Sequence, residues 1–120
     1  MRVSEMHLIK AEALARQGQD AAAAQALYNM AVVRDPAYTL STKTGAALLE
    51  EILVQRRIEL WGEGFRFADL KRMNLPLDRN GSNHKGSIIN DLWEVPAGDP
   101  RWQLAIPQAE MDANPAMVQN

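Results

Sequence analysis

The feature that most constrains the fold is the spacing of the apolar residues, which recur every three or four positions over residues 2–33 and again over 46–73, on either side of a connector at 37–45. An amphipathic α-helix needs this period to collect its apolar side chains on one face. Over residues 74–104 the period disappears, and proline, glycine and polar residues take its place. The pattern therefore predicts an all-α fold in which a helical part is followed by a long irregular segment.

Two helices are predicted at the start of the chain, over residues 2–17 and 20–33. Gly18 is expected to end the first helix and Asp20 to cap the second. Helices joined by so short a turn must lie antiparallel. The spacing of small and aromatic residues in the second helix fits a tetratricopeptide repeat, so residues 1–36 are predicted to form a tetratricopeptide-like pair. Its second helix presents one shared face of Ala24, Leu27, Tyr28 and Ala31.

One such pair cannot bury its apolar surface alone, because these repeats stack on neighbours. No second copy of the repeat is visible in this sequence. We therefore expect an exposed apolar patch on the pair, and such a patch favours self-association.

A central helix, broken near Gly62, is predicted over residues 46–73. Apolar side chains cover much of its circumference, which is typical of a helix surrounded by other elements. Residues 74–120 are expected to wrap over the helices as a loop and to finish in a short helix started by Pro107. The 120 residues are thus predicted to form a single helical domain. Four aromatic side chains are expected in packing: Tyr28, Trp61, Phe65 and Phe67.

Charge and composition exclude several classes of protein. The 13 basic and 15 acidic side chains give a net charge of −2, without the basic excess of a nucleic-acid-binding module. No apolar run approaches the roughly 20 residues that span a bilayer. The absence of cysteine excludes disulfides, thiolate metal sites and a lipid-bearing cysteine. No signal peptide is recognisable, so this chain alone is expected to be soluble.

The sequence indicates no metal site and no cofactor. His7 has Lys10 and Ala11 as its next neighbours on the helix face, which is no metal-ligand spacing. His84 lies in a polar loop that has few carboxylates and does not match a calcium loop. No phosphate-binding loop or nucleophile elbow is present.

A ladder of charged residues runs through the middle of the chain at three- or four-residue steps, which place neighbours on one helix face. Arginine suits a partly buried face because its planar fork holds two carboxylate oxygens. The pattern therefore favours a structural ion-pair network. The ladder consists of Arg56, Glu59, Glu63, Arg66, Asp69 and Arg72.

An alternative for this ladder is a glycoside hydrolase in which Glu59 and Glu63 are the paired carboxylates. A general acid needs a raised pKa, whereas three neighbouring arginines would hold both carboxylates ionised. We therefore expect no catalytic residues.

Three segments carry a resemblance to the SusD/RagB family. The longest, LEEILVQRRIELWGEGFRFADLKR over residues 49–72, resembles the signature near the C-terminus of that family. The opening RVSEMHLIKAEALA over residues 2–15 is similar to the last tetratricopeptide helix of the family. The ending IPQAEMDANP over residues 106–115 resembles its closing motif. The motifs occur in the order that the family has and cover nearly the whole chain.

The resemblance implies a non-enzymatic, mainly helical lipoprotein of the outer-membrane surface. Such proteins bind glycans or other nutrients and sit on a TonB-dependent transporter, which would be a partner together with the remainder of a longer parent protein. Family members are several times longer, so this chain is expected to be a C-terminal part that serves as scaffold and interaction surface.

Two other interpretations of the sequence remain open. Trp93 and Trp102, in the long loop, are the best candidates for stacking on a sugar ring, although the same rings could pin the loop to the helices. The chain could also be an independent tetratricopeptide-like adaptor for other proteins.

Overall fold

The computed structural model describes residues 2–119, which form two compact units that divide between residues 65 and 66. The predicted all-α fold is confirmed, because the regular structure is helical apart from one small pair of strands. Whether the chain behaves as one domain stays a prediction, as does the wrapping of its C-terminal segment over the helices. The helices are α1 (Val3–Arg16), α2 (Asp20–Arg34), α3 (Gly45–Glu59), α4 (Phe65–Arg72) and α5 (Gln108–Ala113).

In the first unit, α1 and α2 are joined by a tight turn and lie antiparallel, while α3 runs parallel to α2. Contacts between the helix ends show the direction of α3. The N-termini of α2 and α3 meet where a carboxylate oxygen of Asp20 accepts a hydrogen bond from the backbone N–H of Gly45 at 3.0 Å. Their C-termini meet where Arg34 pairs with Glu59 at 2.7 Å. Residues 35–44 therefore return along the helices as an extended connector.

Large aliphatic side chains from all three helices form the core of the first unit. Leu8, Leu27, Leu48 and Ile52 are completely buried. Several buried alanines, most of them on α2, surround them, and such small side chains allow helix axes to approach closely. The predicted shared face of α2 is confirmed: Ala24, Leu27 and Ala31 are buried, and Tyr28 is half-buried.

Three apolar residues of α1 that follow the helical period lie on a face that no other element of the first unit covers. Val3 is 75% exposed, Met6 47% and Ile9 44%, whereas the buried residues of the helix are Leu8, Ala11 and Glu12. The expected apolar patch is thus present on the outer side of the helix pair. We call Val3, Met6 and Ile9 the outer face of α1.

The expected capping of α2 by Asp20 is wrong. Asp20 is the first residue of α2 and makes no side-chain hydrogen bond to that helix. It serves α3 instead, because its carboxylate accepts from the first N–H of that helix. Thr44 precedes α3 in an extended conformation, but its side chain does not cap the helix either. The N-terminus of α3 is therefore capped by a residue of another helix and not by a residue next to it in the sequence.

The second unit is built on a small core of its own, in which Leu70, Val95 and Trp102 are buried. Within the predicted irregular segment, β1 (Leu77–Asp78) and β2 (Glu94–Val95) pair antiparallel, with Leu77 opposite Val95. Two short 3₁₀ helices, Gly86–Ile88 and Pro100–Trp102, complete the segment. Strands of two residues are too short to show an alternating pattern, so the sequence could not reveal them.

Trp61 departs from its predicted role in packing, since its side chain is 84% exposed. It stands in the turn after α3, where Gly62 and Gly64 both adopt a positive φ, at 76° and 82°. Such backbone suits glycine, which has no Cβ to clash in this region of φ. Of the other three aromatic residues, Tyr28 and Phe65 are half-buried and Phe67 is 47% exposed.

No helix within residues 2–119 has the length and apolar character that a bilayer crossing requires.

Candidate functional site

In the first unit, three residues of the charged ladder contact residues outside the ladder. The guanidinium of Arg56 is buried and lies 5.4 Å from the centre of the Phe65 ring, a cation–π contact. Glu59 receives two hydrogen bonds from Arg34, at 2.7 and 3.0 Å. The pairing with Arg34 ties the end of α3 to α2. An ion pair of 2.8 Å between Arg2 and Glu63 likewise ties the turn after α3 to the start of the chain.

In the second unit two residues of the ladder, Asp69 and Arg72, pair along α4. Arg72 donates from Nε to Oδ1 of Asp69 at 2.9 Å, a three-residue step on the helix surface. Asp69 is buried and Arg66 is exposed. That the six ladder residues form one continuous network stays a prediction.

The electrostatics of Glu59 argue against the glycoside hydrolase alternative. The hydrogen bonds from Arg34 lower the pKa of Glu59 and outweigh the opposing effect of burial, and Ser4 and the charge of Arg2 act in the same direction as Arg34. A carboxyl group held in its ionised form cannot serve as a general acid near neutral pH. Glu59 therefore lacks the environment that glycoside hydrolysis requires of its acid, and Glu63 is ion-paired with Arg2 at 2.8 Å.

The two candidate sugar-stacking residues, Trp93 and Trp102, differ in how deeply their rings are buried. The ring of Trp102 is 7% exposed and lies 5.6 Å from the ring of Phe67, and its Nε1 donates to the carbonyl of Pro96 at 2.7 Å. This ring is a packing element of the second unit. Trp93 is half-buried, with its ring beside Gly86. Glycan binding by either residue stays a prediction.

Sequence reasoning missed a polar cluster on the connector of the first unit. It consists of Tyr38, Ser41, Lys43 and Glu51, and we call it the connector cluster. Oε1 of Glu51 accepts from the hydroxyl of Tyr38 at 2.5 Å, and Oε2 accepts from Ser41 at 2.7 Å. The ammonium of Lys43 lies 3.2 Å from Oε2. One carboxylate of α3 thus holds three residues of the connector.

The ionisation of the connector cluster follows from these contacts. Burial raises the pKa of Glu51. The hydrogen bonds from Tyr38, Ser41 and Lys43 lower it, and together they outweigh the effect of burial, so the net shift is downward. Burial also raises the pKa of Tyr38, and its hydrogen bond to Glu51 and the charge of that carboxylate act in the same direction. The cluster therefore holds a carboxylate and a neutral phenol over a wide range of pH.

The connector cluster lies at an open cavity of about 400 Å³. The cavity is lined by Asp35, Ala37 to Lys43, and Glu51. Hydroxyl-bearing residues are frequent in residues 38–44, and this was the signal in the sequence. The cluster could not be predicted from this signal, because no local sequence pattern connects these residues with a carboxylate on the following helix.

Within the described residues no group of three or more histidine or acidic side chains is arranged to hold a metal ion. His84 Nδ1 lies 2.7 Å from the hydroxyl of Ser82, inside the loop between the two strands. His7 lines a small groove of about 200 Å³ between the start of α1 and the end of α2.

The first unit thus combines an antiparallel helix pair of tetratricopeptide type, a parallel third helix and an ion-paired turn. The comparisons with known proteins name the family: the SusD family model matches residues 1–120. The chain belongs to the SusD family.

Two solved structures show the same likeness over the whole chain. A SusD superfamily protein from Bacteroides thetaiotaomicron VPI-5482 is 35% identical with a TM-score of 0.79, and one from Bacteroides vulgatus ATCC 8482 is 36% identical with a TM-score of 0.76. This chain spans only 27% and 26% of the length of those chains. No curated protein matches it. Members of the SusD family are nutrient-binding proteins of the outer-membrane surface.

Proposed function

We propose that this chain is a non-catalytic scaffold and interaction part of a SusD-like protein, which captures oligosaccharides or other nutrients for a TonB-dependent transporter. The supporting observation is the outer face of α1, where Val3, Met6 and Ile9 are exposed although they follow a regular helical period. A tetratricopeptide-like helix that presents such a face normally packs against a neighbouring helix. The family match over residues 1–120 makes the remainder of a SusD-like fold the natural neighbour.

A second exposed set lies at the end of the first unit where α2 and α3 finish. Val33 is 72% exposed, Ile58 62% and Trp61 84%. The pairing of Arg34 with Glu59 brings these helix ends together. Large apolar side chains grouped at one end of a unit are typical of a protein–protein contact. They support the same role, in which this chain serves as a surface on which other parts of the receptor assemble.

The test is the intact mass of the native protein from its source cells, detected with an antibody to this segment. We expect a species several times heavier than 13.4 kDa in the outer-membrane fraction, purifying together with a TonB-dependent transporter. Sequencing of its peptides should place this segment at the C-terminal side. A species of 13.4 kDa outside the membrane fraction would contradict the proposal.

The adaptor alternative has one observation in its favour, the groove between α1 and α2. It is lined by apolar side chains including Val3, Met30 and Val33 and is of a size to accept one side chain of a partner. One helix pair offers little groove for a peptide, because repeat proteins bind along several stacked repeats. The same mass measurement separates the two functions, since an adaptor would be the short chain itself.

A further inference from the structure

We propose that Asn80 is a site of spontaneous modification, at which the side-chain amide is converted slowly and irreversibly into a carboxylate. The site lies in the second unit, in the loop between β1 and β2, and it goes beyond the scaffold role of the chain. Asn80 and Gly81 are the central residues of a four-residue turn. The turn is closed by a hydrogen bond of 3.1 Å from the N–H of Ser82 to the carbonyl of Arg79. Asparagine is among the thermolabile residues, so its surroundings here decide how stable it is.

The reaction needs only the chain and water. The backbone nitrogen of Gly81 attacks Cγ of Asn80, and the new bond closes a five-membered imide ring. The bond from Cγ to Nδ2 breaks, and ammonia leaves with the proton that the attacking nitrogen has lost. Water then adds to one of the two imide carbonyl carbons, and the bond from that carbon to the nitrogen breaks. Opening on one side gives aspartate, and opening on the other side gives isoaspartate.

The glycine at the next position makes the attack easy. Gly81 has no Cβ to obstruct the approach of its nitrogen to the asparagine side chain. The space where a side chain would stand is open, with no atom within 4 Å. Within residues 2–119 the N–H of Gly81 donates no hydrogen bond, so ring closure does not have to break one. Asn80 and Gly81 are both exposed, which gives water access to the imide.

The other asparagines within residues 2–119 lack this combination. The nitrogens that follow Asn74 and Asn90 donate backbone hydrogen bonds, of 2.8 and 2.9 Å. Asn29 lies inside α2, where the next nitrogen belongs to the hydrogen bonds of the helix. Proline follows Asn114, and its nitrogen carries no proton. Asn83 is exposed in the same loop, but the histidine that follows it has a side chain beside the attacking nitrogen.

The modification removes a contact between the loop and β2. Nδ2 of Asn80 donates a hydrogen bond to Oε1 of Glu94. Ammonia carries that nitrogen away, and the ionised carboxylate that replaces the amide only accepts hydrogen bonds, so this one is lost. Two negative charges then face each other at neutral pH, which is unfavourable between neighbouring strands. Conversion of Asn80 therefore loosens the pair formed by β1 and β2.

The experiment is an incubation of the 120-residue chain at pH 8, from which samples are digested with trypsin and analysed by mass spectrometry. Cleavage after Arg79 and Lys85 releases residues 80–85, which hold Asn80 and Asn83 in one peptide. Fragmentation of this peptide assigns the gain in mass that comes from replacing NH₂ by OH. We expect conversion at Asn80, as two chromatographic products of equal mass, while Asn83 stays intact. A sample digested without incubation corrects for conversion during digestion.

Hydrogen exchange at Arg79 measures the effect on the strand pair. Its backbone N–H donates to the carbonyl of Trp93 at 2.9 Å, and exchange of that proton requires local opening. We expect exchange to become about fivefold faster in the incubated chain, as for the loss of one net hydrogen bond. Asn80→Asp, which mimics one product, should show the same change without incubation.

Two matched variants serve as controls. Asn83→Asp places the same charge in the same loop and should leave the exchange at Arg79 unchanged. Asn80→Gln keeps an amide but would have to close a larger ring, so incubation should not alter its exchange rate.

Intact Asn80 after the incubation at pH 8, or conversion of Asn83 as fast as that of Asn80, would overturn the proposed site. Unchanged exchange at Arg79 in the converted chain would overturn the effect on the strand pair, and this comparison does not depend on the folding of any variant. None of these results decides the scaffold role, which rests on the mass measurement of the native protein.

Discussion

Glu51 is the residue on which the connector of the first unit depends most. Its two oxygens hold Tyr38, Ser41 and Lys43, all of which lie in a segment without regular structure. The connector lacks the regular ladder of backbone hydrogen bonds that fixes the path of a helix or a sheet, so side-chain contacts contribute to fixing its path. One carboxylate on α3 therefore orders the connector at three successive points.

We predict that Glu51→Gln lowers the pKa of Tyr38 toward its ordinary value of 10.0. The substitution removes the negative charge that disfavours the phenolate and leaves an amide in its place. Absorbance of the tyrosinate as a function of pH measures the effect. Glu50→Gln is the control, because Glu50 is the exposed neighbour on the same helix and does not contact the phenol. Identical titration curves for the two variants would contradict the assignment.

The same residue predicts how stability depends on pH in acid. The pKa of Glu51 is lower in the folded chain than its ordinary value of 4.5, because the folded state stabilises the ionised carboxylate. Its contribution is complete above pH 4.5 and is lost as the pH falls through the folded pKa. Urea denaturation between pH 6 and pH 3 should therefore show a smaller loss of stability for Glu51→Gln than for the parent chain. A loss of equal size in both would refute the prediction.

At the scale of elements, α3 is held at both ends by residues of α2. Asp20 accepts from the first N–H of α3, and Arg34 pairs with Glu59 at its end. The contact at the N-terminus is favourable because a helix has unpaired N–H groups and positive partial charge there. These two contacts fix the parallel direction of α3, which a short turn could not have produced.

We predict that Asp20→Ala destabilises the chain by about 1 kcal/mol, the usual cost of losing a helix cap. Asp20→Asn should cost less, because its amide oxygen still accepts from Gly45 N–H. Thermal unfolding followed by circular dichroism measures both variants. Equal losses for alanine and asparagine would show that the hydrogen bond to α3 is not what stabilises this helix.

A second prediction at this scale concerns the end of α3 and the start of α4. Arg56→Ala should destabilise by about 2 kcal/mol, because it removes a buried guanidinium that packs on Phe65. Arg57→Ala, one position further on an exposed face, should be nearly neutral. Chemical denaturation of the two variants compares them directly. If both changed stability alike, the buried part of the ladder would have no special role.

At the scale of the whole molecule, the main fact is the apolar surface that the first unit leaves exposed. The outer face of α1 has the period of a packed helix, but α2 and α3 cover other positions of that helix. Exposed apolar side chains of this size attract other protein surfaces. The surface that supports the scaffold proposal also predicts the behaviour of this chain in solution.

We predict that the 120-residue chain self-associates and that Met6→Lys with Ile9→Lys reduces this association. The lysines place charge on the outer face of α1 without removing any residue from the core. Sedimentation velocity over a concentration series measures the effect, with Glu50→Lys as a control on α3. A monomer at all concentrations, or association unchanged by the double substitution, would contradict the prediction.

The helices could be predicted from the apolar period and the alanine content, and the family from three motifs. All of these signals lie in residues that are close together in the chain. The ends of α1, α2 and α3 differ from their predicted ends by at most a few residues. The charge pattern also predicted that Glu59 is held ionised. The identity of its partner, Arg34, could not be predicted, because the two residues meet only through the parallel packing of α2 and α3.

The helices, the tetratricopeptide-like pair and the motifs of the SusD family can be predicted from the sequence, since each depends on residues close together in the chain. The direction of α3, the contact of Asp20 with α3 instead of α2, and the connector cluster depend on how the helices pack. These features join residues that are distant in the sequence, so the contacts that stabilise them form only when the helices pack. The exposure of Trp61 belongs with them, because an apolar period shows that a helix has an apolar face but not which neighbour covers it.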